Sequence, residues 1–367
     1  SSSSSSNNSS QESNCSSTVH SQVEKYYGKE LETSKDLKTT ACTSSDKPPL
    51  HIRTIMAKIH DEVASKFYGC GLIAPTLLKG MDILDLGSGS GMDCYVLSAL
   101  ATQEGSVCGI DMTKEQLQVA EKHRDFHAKI FGHSKSNVRF VHGLIEDLAA
   151  AGLDKDAMFD VIVSNCVINL ADDKRAVLSE AFRVLKEGGE MYFSDVYADR
   201  RIDQQLVSDP ILYGECLSGA LYWNDFLQMA RSVGFADPRL VRSRPLEITN
   251  EKVAAKIGHI KFYSATYRLF KLKELEQDCE DYGQAVRYRG TIEHHPNQYD
   301  LDAHHCFEQG KMTSVCANTF NILKKSRYAE HFEFFGDQST HYGIFPGCGK
   351  QIPFVTESPI GGGGSCC

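Results

Sequence analysis

The sequence has no long hydrophobic run, no excess of positive charge and no recognisable export signal at its start. No stretch approaches the roughly 18 consecutive apolar residues that a membrane helix needs, so we expect no membrane span and no membrane partner. The 39 Lys and Arg residues are outnumbered by 48 Asp and Glu residues, which gives a net charge of −9. Because binding to nucleic acid requires a basic surface, this balance argues against nucleic acid as a partner.

The first 20 residues are rich in Ser and Asn and poor in hydrophobic side chains. They contain neither a basic n-region nor an apolar h-region, so we expect no secretory signal and a cytoplasmic location. Cysteine, by contrast, is abundant, with 13 copies. In a reducing compartment these should be thiols rather than a disulfide framework, and any one of them is by default a small buried hydrophobe.

Composition and periodicity divide the chain into five parts. The ends are a Ser-rich segment expected to be disordered, residues 1–20, and a flexible tail of Gly and Cys, residues 351–367. Residues 21–80 form a leading segment with helices and thiols. The main α/β core spans residues 81–270, and a small α+β C-terminal domain follows over residues 271–350.

Short apolar runs alternate with helical stretches in the core. The predicted strands are residues 82–86, 106–110, 138–141, 159–164 and 190–194. The predicted helices are residues 93–101, 113–131 and 174–185. This alternation predicts βαβ units, and therefore a Rossmann-like parallel sheet with helices on both faces. Gly188 and Gly189 are expected to end the last helix, and residues 238–241 and 262–270 are candidates for an antiparallel edge.

A glycine-rich turn follows the first predicted strand. Its sequence is Asp85-Leu86-Gly87-Ser88-Gly89-Ser90-Gly91, and glycines allow both a sharp turn and the close approach of a ligand. Asp111 ends the second strand, where a carboxylate can accept both ribose hydroxyls of a nucleoside. A tight turn, with Asp111 capping the helix at Thr113, is the purely structural alternative. The combination favours an adenosine-type cofactor, and the missing Lys-Ser/Thr ending excludes a P-loop.

The Asp-x-Gly-x-Gly-x-Gly form resembles the first motif of class I S-adenosylmethionine methyltransferases. Residues 109–112 resemble the ribose strand of that family, residues 142–148 its adenine-side loop and residues 184–190 the step into its fifth strand. The resemblance implies a class I methyltransferase sheet and S-adenosylmethionine as cofactor. The cofactor-binding residues that it implies are Tyr68, Asp85, Gly87, Ser88, Gly89, Gly91, Asp111, Met112, Ile145, Glu146 and Asn165.

Four cysteines lie in segments that carry a more specific resemblance. Cys166 ends Ser164-Asn165-Cys166 after the fourth strand, Cys216 ends Gly214-Glu215-Cys216, and Cys70 lies in Tyr68-Gly69-Cys70-Gly71. Cys42 lies in the leading loop. With the cofactor motifs, these segments closely resemble the eukaryotic arsenite S-adenosylmethionine methyltransferases over residues 23–272.

This resemblance implies methylation of arsenite to mono- and dimethylated arsenicals, a detoxification reaction. Its catalytic residues would be Cys42, Cys70, Cys166 and Cys216. Cys70, Cys166 and Cys216 would be the ligands of trivalent arsenic, with residues 200–235 as an arsenic-binding insert. Soft thiolates are suitable ligands for trivalent arsenic. The lone pair of arsenic carries no proton, so the methyl transfer needs no general base.

The expected partners are arsenite, methylated trivalent arsenicals and a reductant, either a small-molecule thiol or a thioredoxin-type protein. Cys42 either relays arsenic or forms a disulfide with Cys70, and the sequence leaves both roles open.

Two other functions remain open at this point. One is S-adenosylmethionine-dependent methylation of another small molecule, although no acid/base pair is evident at the fourth strand. The other is a non-enzymatic, thiol-rich protein that sequesters metalloid, although such a protein needs no adenosine site.

The C-terminal domain shows no convincing metal-ligand spacing. Strands are predicted at residues 285–292 and 303–315, with Gln309-Gly310 as a turn, and a helix is predicted at residues 317–325. Cys279 and Cys316 lie in no motif, and His304-His305-Cys306 favours a solvated strand because neighbouring side chains point to opposite faces.

Overall fold

The computed structural model describes residues 48–67, 71, 73–207, 209, 212 and 217–350. The expectations for residues 1–20 and 351–367 lie outside the described residues. So do four of the predicted site residues, Cys42, Tyr68, Cys70 and Cys216. Among the described residues, no helix has the length and apolar character that crossing a membrane requires.

The core is one large sheet with the strand order β3-β2-β1-β4-β5-β8-β7, and the short β6 pairs with β5. Its strands are β1 (Asp82–Leu86), β2 (Ser106–Asp111), β3 (Val138–His142), β4 (Phe159–Asn165), β5 (Leu185–Ala198), β6 (Leu221–Tyr222), β7 (Arg239–Pro245) and β8 (Phe262–Phe270). β1 to β5 run parallel, whereas β8 is antiparallel to both β5 and β7. The antiparallel edge is therefore confirmed.

Helices cover both faces of this sheet. They are α1 (Leu50–Met56), α2 (Asp61–Ser65), α3 (Met92–Ala101), α4 (Lys114–Lys122), α5 (Arg124–Ile130), α6 (Lys174–Val184), α7 (Gln204–Val207), α8 (Trp223–Val233) and α9 (Glu251–Ile257). Successive strand residues point to opposite faces, so Ile83 packs in one core with Tyr95 of α3. Leu84 packs in another with Leu178 of α6 and Phe226 of α8.

Two local predictions were wrong. The helix predicted over residues 113–131 is interrupted at His123, whose ring is anchored on Glu62 at 2.7 Å and stacks on His60. Gly188 and Gly189 do not end α6, which stops at Val184 where Leu185 is already extended. Gly188 instead has φ +80°, and a Cβ there would collide with the carbonyl oxygen of Lys325. Glycine is needed because the C-terminal domain approaches the sheet at this residue.

The C-terminal domain consists of short strands and one helix, α10 (Ala317–Lys325). Its strands are β9 (Glu280–Asp281), β10 (Ala285–Tyr288), β11 (Gln298–Asp300), β12 (Cys306–Glu308), β13 (Met312–Ser314), β14 (Phe332–Phe335) and β15 (Gly343–Ile344). Residues 303–315 form two strands, β12 and β13, on either side of the turn predicted at Gln309-Gly310. β12 pairs with β11 whereas β13 pairs with β10. The predicted architecture, an α/β parallel sheet with helices on both faces and a small α+β C-terminal domain, is confirmed.

A buried ion cluster joins this domain to the sheet. Glu190 of β5 accepts a hydrogen bond from Arg327 at 2.5 Å and lies 3.3 Å from Nε of Arg268. Arg268 in turn donates to the hydroxyl of Tyr328 at 2.9 Å, and Arg327 donates to the carbonyl of Thr76. Breaking such a pair leaves a charge buried without compensation, so the cluster holds the two domains together.

Candidate active site

A cleft opens where the carboxyl ends of β1, β2 and β4 meet, the edge at which open parallel sheets bind ligands. It encloses about 930 Å³, including its mouth. Loops after β1, β2, β3 and β4 line it, together with Lys66 and Phe67 of the leading segment. The predicted site residues in its lining are Asp85, Gly87, Ser88, Gly89, Asp111, Met112, Ile145, Glu146, Asn165 and Cys166.

The three motif glycines have different roles, although all have positive φ. At Gly87 a Cβ would lie 2.5 Å from the side chain of Val167, so the loop packs directly on the residue after Cys166. At Gly89 a Cβ would meet no protein atom within 4 Å, because this residue borders the cleft. Gly91 is not in the lining: it caps α3, and a Cβ there would press on Phe140 at 2.8 Å.

Asp111 ties the glycine loop to the end of β2. Its Oδ2 accepts a hydrogen bond from the backbone N–H of Gly89 at 2.8 Å, and its Oδ1 accepts one from Thr113 at 2.8 Å. Asp111 is not the N-cap of α4, which is Thr113 and makes no side-chain capping hydrogen bond, so only the tight turn of the structural alternative is present. Each carboxylate oxygen can still accept a further hydrogen bond, so the same side chain remains available to hydroxyls in the cleft.

Two buried carboxyl groups line the cleft beneath the loop. Asp85 is 2% exposed and Asp93 is 4% exposed. Burial raises the pKa of Asp85 to about 7, against a hydrogen bond from Cys94, and the charge of Asp111 adds to the rise. Burial and the charge of Asp85 also raise the pKa of Asp93, whose Oδ1 has no partner among the described residues. A positively charged ligand would stabilise both carboxylates, so the site fits a sulfonium cofactor.

Asn165 links the end of β4 to the leading segment. Its amide donates to the carbonyl oxygen of Gly71 at 2.6 Å and to Asp93 at 2.8 Å. The residue after Cys70 and the residue before Cys166 are thus in direct contact.

Cys166 sits at the head of β4 in an unusual backbone conformation. It has φ +57°, which is uncommon for a residue with a side chain and is often found at functional sites. Its N–H donates to Ser194 at 2.8 Å, and the residue is only 3% exposed. It packs in one cluster with Leu170 and Leu217. Cys166 is disulfide-bonded, so its sulfur must be reduced before it can bind another atom.

An apolar wall borders the cleft beyond Asp111. Met112, Leu144 and Ile145 form it, and the carbonyl oxygen of Met112 accepts from His142 at 3.0 Å. Glu146 accepts a hydrogen bond from the N–H of Asp172 at 3.0 Å, which fixes the loop after β3. Such a wall suits the flat ring of an adenine.

Several residues of the lining belong to no motif that the sequence reveals. Asp93, Thr113, Gln116 and Leu170 all border the cleft. For Asp93 a signal was present, because an acidic residue stands among the apolar side chains of α3, residues 92–97. Cys94 and Cys108 are buried in the core, as expected by default for a cysteine outside the motifs.

Comparison with known proteins gives a consistent result. Residues 77–234 match a methyltransferase domain family, and residues 282–356 match the arsenite methyltransferase C-terminal domain. The arsenite methyltransferase of Aquipseudomonas alcaligenes is 55% identical over 95% of this chain and 100% of its own length. The human arsenite methyltransferase is 46% identical over 86% of this chain and 83% of its own length.

A solved structure is similar as well. It is the arsenic(III) S-adenosylmethionine methyltransferase of Chlamydomonas reinhardtii, with a TM-score of 0.79 and 49% identity. The match covers 82% of this chain and 100% of that one. Both domains match the families named above, and these relatives are similar over most of their length. The chain therefore belongs to the arsenite methyltransferase family.

Proposed function

We propose that this chain is an S-adenosylmethionine-dependent methyltransferase that converts arsenite to mono- and dimethylated arsenicals. Its relatives, matched over most of their length, are named as arsenite methyltransferases. The cleft supports the cofactor because it combines an open glycine turn, a ribose-type carboxylate and buried acids suited to a cation.

The cofactor residues divide by position. Asp111 would accept the ribose hydroxyls, and Met112, Ile145 and Glu146 would border the adenine. Asp85 and Asn165 would surround the methionine end, where Asp93 supplies a second carboxyl group. Gly87, Ser88 and Gly89 would let the backbone approach the ligand. When bound, S-adenosylmethionine supplies an electrophilic methyl group. The lone pair of trivalent arsenic would attack this methyl group, and no proton has to be lost.

Cys70, Cys166 and Cys216 would hold the arsenic. The observation that carries this assignment is the pair of contacts around Cys166. Asn165 hydrogen-bonds to Gly71, the residue after Cys70, and Cys166 packs in one cluster with Leu217, the residue after Cys216. Both contacts support convergence of the three thiols at the head of β4. The protein's contribution is then orientation and proximity rather than proton transfer.

A reductant is part of the proposal because Cys166 is disulfide-bonded. Reduction of that disulfide yields the thiolate that can ligate arsenic. A small-molecule thiol or a thioredoxin-type protein would supply the two electrons. Cys42 would relay arsenic or form a disulfide with Cys70.

Bond counting provides the test. Arsenite can use three thiolates, whereas monomethylarsenite has two valences left for sulfur. Cys70→Ser should therefore lose methylation of arsenite but keep methylation of monomethylarsenite. Cys42→Ser should have the same effect, because Cys42 relays arsenic or forms the disulfide with Cys70. Cys166→Ser and Cys216→Ser should lose both activities. Products would be separated by chromatography, with S-adenosylmethionine and a thiol present.

Cys306→Ser is the matched control, because Cys306 is an exposed free cysteine of the C-terminal domain. It should methylate both substrates at the wild-type rate. A Cys166→Ser chain that still methylates monomethylarsenite at the wild-type rate would contradict the thiol assignment. Arsenic binding by the wild-type chain without any methylated product would instead favour a sequestering protein.

A further inference from the structure

Three cysteines that the sequence keeps far apart meet in the C-terminal domain. Cys279 precedes β9, Cys316 precedes α10 and Cys348 follows β15, and all three are free. β15 pairs with β9, and this pairing is extended by a hydrogen bond of 2.8 Å from the N–H of Phe345 to the carbonyl of Cys279. The pairing brings Cys348 to the side of Cys279.

The helix α10 completes the group. Asn318, in its first turn, exchanges two hydrogen bonds of 2.8 Å with the backbone of Glu276. These bonds fix the start of the helix beside the segment that leads to Cys279. The Cys316 thiol, burial and the Cys348 thiol together raise the pKa of Cys279, as expected for sulfurs that lie close to one another.

The surroundings favour a reactive sulfur at Cys316. Its Sγ lies 3.3 Å from the hydroxyl of Thr319, and the residue is 1% exposed. A hydrogen bond from Cys279 lowers the pKa of Cys316 to about 5 against the effect of burial, and the charge of Arg239 contributes to the lowering. Arg239 is itself held by Asp237 and Asp302 at 2.7 and 2.9 Å.

We propose that Cys279, Cys316 and Cys348 form a second binding site for trivalent arsenic, separate from the methyl-transfer cleft. Three As–O bonds of arsenous acid would be replaced by three As–S bonds. Each thiol proton would leave with a hydroxyl as water, and the thiolate of Cys316 would draw one proton from solvent. Arsenic stays trivalent and no electrons move, so binding needs no oxidant or reductant.

The number of sulfurs selects arsenic over zinc. Structural zinc sites have four protein ligands, whereas trivalent arsenic is satisfied by three thiolates. His305, the neighbouring imidazole, is already engaged with Asp302 at 2.7 Å and Thr319 at 3.2 Å. The described lining of the cofactor cleft includes none of these three cysteines, so arsenic bound by them would be held outside that lining.

Binding would draw the sulfurs together. Among the described residues, His60, Glu62 and His123 form the group whose ligand atoms all lie within 4.8 Å of one another. The sulfurs of Cys279, Cys316 and Cys348 do not meet this limit, so they are more widely spaced. Cys348 is half-buried and lies in the loop after β15, where it can move toward Cys279.

The test uses the full-length chain with the catalytic and tail thiols removed. The background variant carries Ser at Cys42, Cys70, Cys166, Cys216, Cys366 and Cys367. Arsenite alone is the probe, bound arsenic per chain is measured by equilibrium dialysis with elemental analysis, and X-ray absorption counts the sulfur ligands. We expect one arsenic per chain with three sulfurs.

Adding Cys316→Ser or Cys348→Ser should weaken arsenite binding by about 100-fold or more, because a chelate loses the benefit of linked ligands. Cys348→Ser covers the case in which the buried Cys316→Ser change prevents folding. Adding Cys306→Ser is the control and should leave arsenite affinity unchanged.

The proposal is wrong if the background chain binds no arsenic at concentrations that saturate the wild-type chain. It also fails if zinc binds to the background chain and arsenite does not, or if Cys306→Ser weakens binding as much as Cys316→Ser. Methylation by the wild-type chain is a separate measurement, so the proposed function can stand or fall independently.

Discussion

Gly89→Ala provides a sharp test of the cofactor cleft, because the added methyl group meets solvent rather than protein. Its Cβ would have no protein atom within 4 Å, so packing is not disturbed. The positive φ of +51° costs about 1–2 kcal/mol for a residue with a Cβ. In the unfolded chain Ala has less conformational entropy than Gly, and this difference offsets about 0.5–1 kcal/mol of the cost. The net loss of stability should be about 1 kcal/mol.

Cofactor binding should suffer more. The methyl group would occupy the side from which a ligand approaches the backbone, and a ligand displaced from Gly89 would lose one or two hydrogen bonds. At about 0.5–1.5 kcal/mol each, affinity for S-adenosylmethionine should fall by roughly 2- to 150-fold. Calorimetric titration measures the affinity, and thermal unfolding measures the stability.

Gly132→Ala is the matched control. Gly132 has φ +76°, a Cβ there would also meet no atom within 4 Å, and the residue does not line the cleft. Both variants should lose similar stability, but only Gly89→Ala should lose cofactor affinity. Wild-type affinity in Gly89→Ala, or an equal loss in Gly132→Ala, would refute the placement of the cofactor at this loop.

Three further predictions follow from the same contacts. Asp111→Ala should weaken S-adenosylmethionine binding by on the order of 3 kcal/mol, through two lost charge-assisted hydrogen bonds, with arsenite binding nearly unchanged in the same calorimeter. Because the raised pKa of Asp85, about 7, favours its neutral form and a cationic cofactor favours its charged form, binding should release a proton. Cofactor affinity should therefore rise as pH increases toward about 7 and level off above it, and a flat profile would contradict this. The Asp85→Asn control should lose this rise, with Asp93, whose pKa is also raised, as the carboxyl that still titrates. Arg327→Ala should lower the free energy of unfolding by about 3 kcal/mol, since Glu190 remains buried with one arginine fewer. The exposed Arg200→Ala should leave the free energy of unfolding nearly unchanged, and equal effects of the two substitutions would disprove the role of the buried cluster.

Much of the core could be read from the sequence because its signals are local. Alternating apolar runs and helices identify βαβ units, and the carboxyl ends of parallel strands must share one edge. That rule alone brings Asp85, Asp111 and Asn165 to one cleft. The resemblance to arsenite methyltransferases rested on equally short motifs, such as Ser164-Asn165-Cys166.

Other features depended on contacts between distant segments, which no local pattern encodes. The sequence predicts that Gly188 ends a helix. In the structure, its positive φ and missing side chain allow the backbone of Lys325, 137 residues later, to pack against it. The sequence motif predicts that Gly91 binds the cofactor, whereas the tertiary structure places Gly91 against Phe140.

The cysteines show the same division. Position after a strand singled out Cys166 from the sequence alone, whereas Cys279, Cys316 and Cys348 carried no motif. Only the pairing of β15 with β9 and the anchoring of α10 on Glu276 bring those three thiols together. The sequence by itself determined the sheet, the cofactor loop and the family. The tertiary structure decided which distant side chains meet, because such contacts depend on how separate elements pack and not on the residues beside each one.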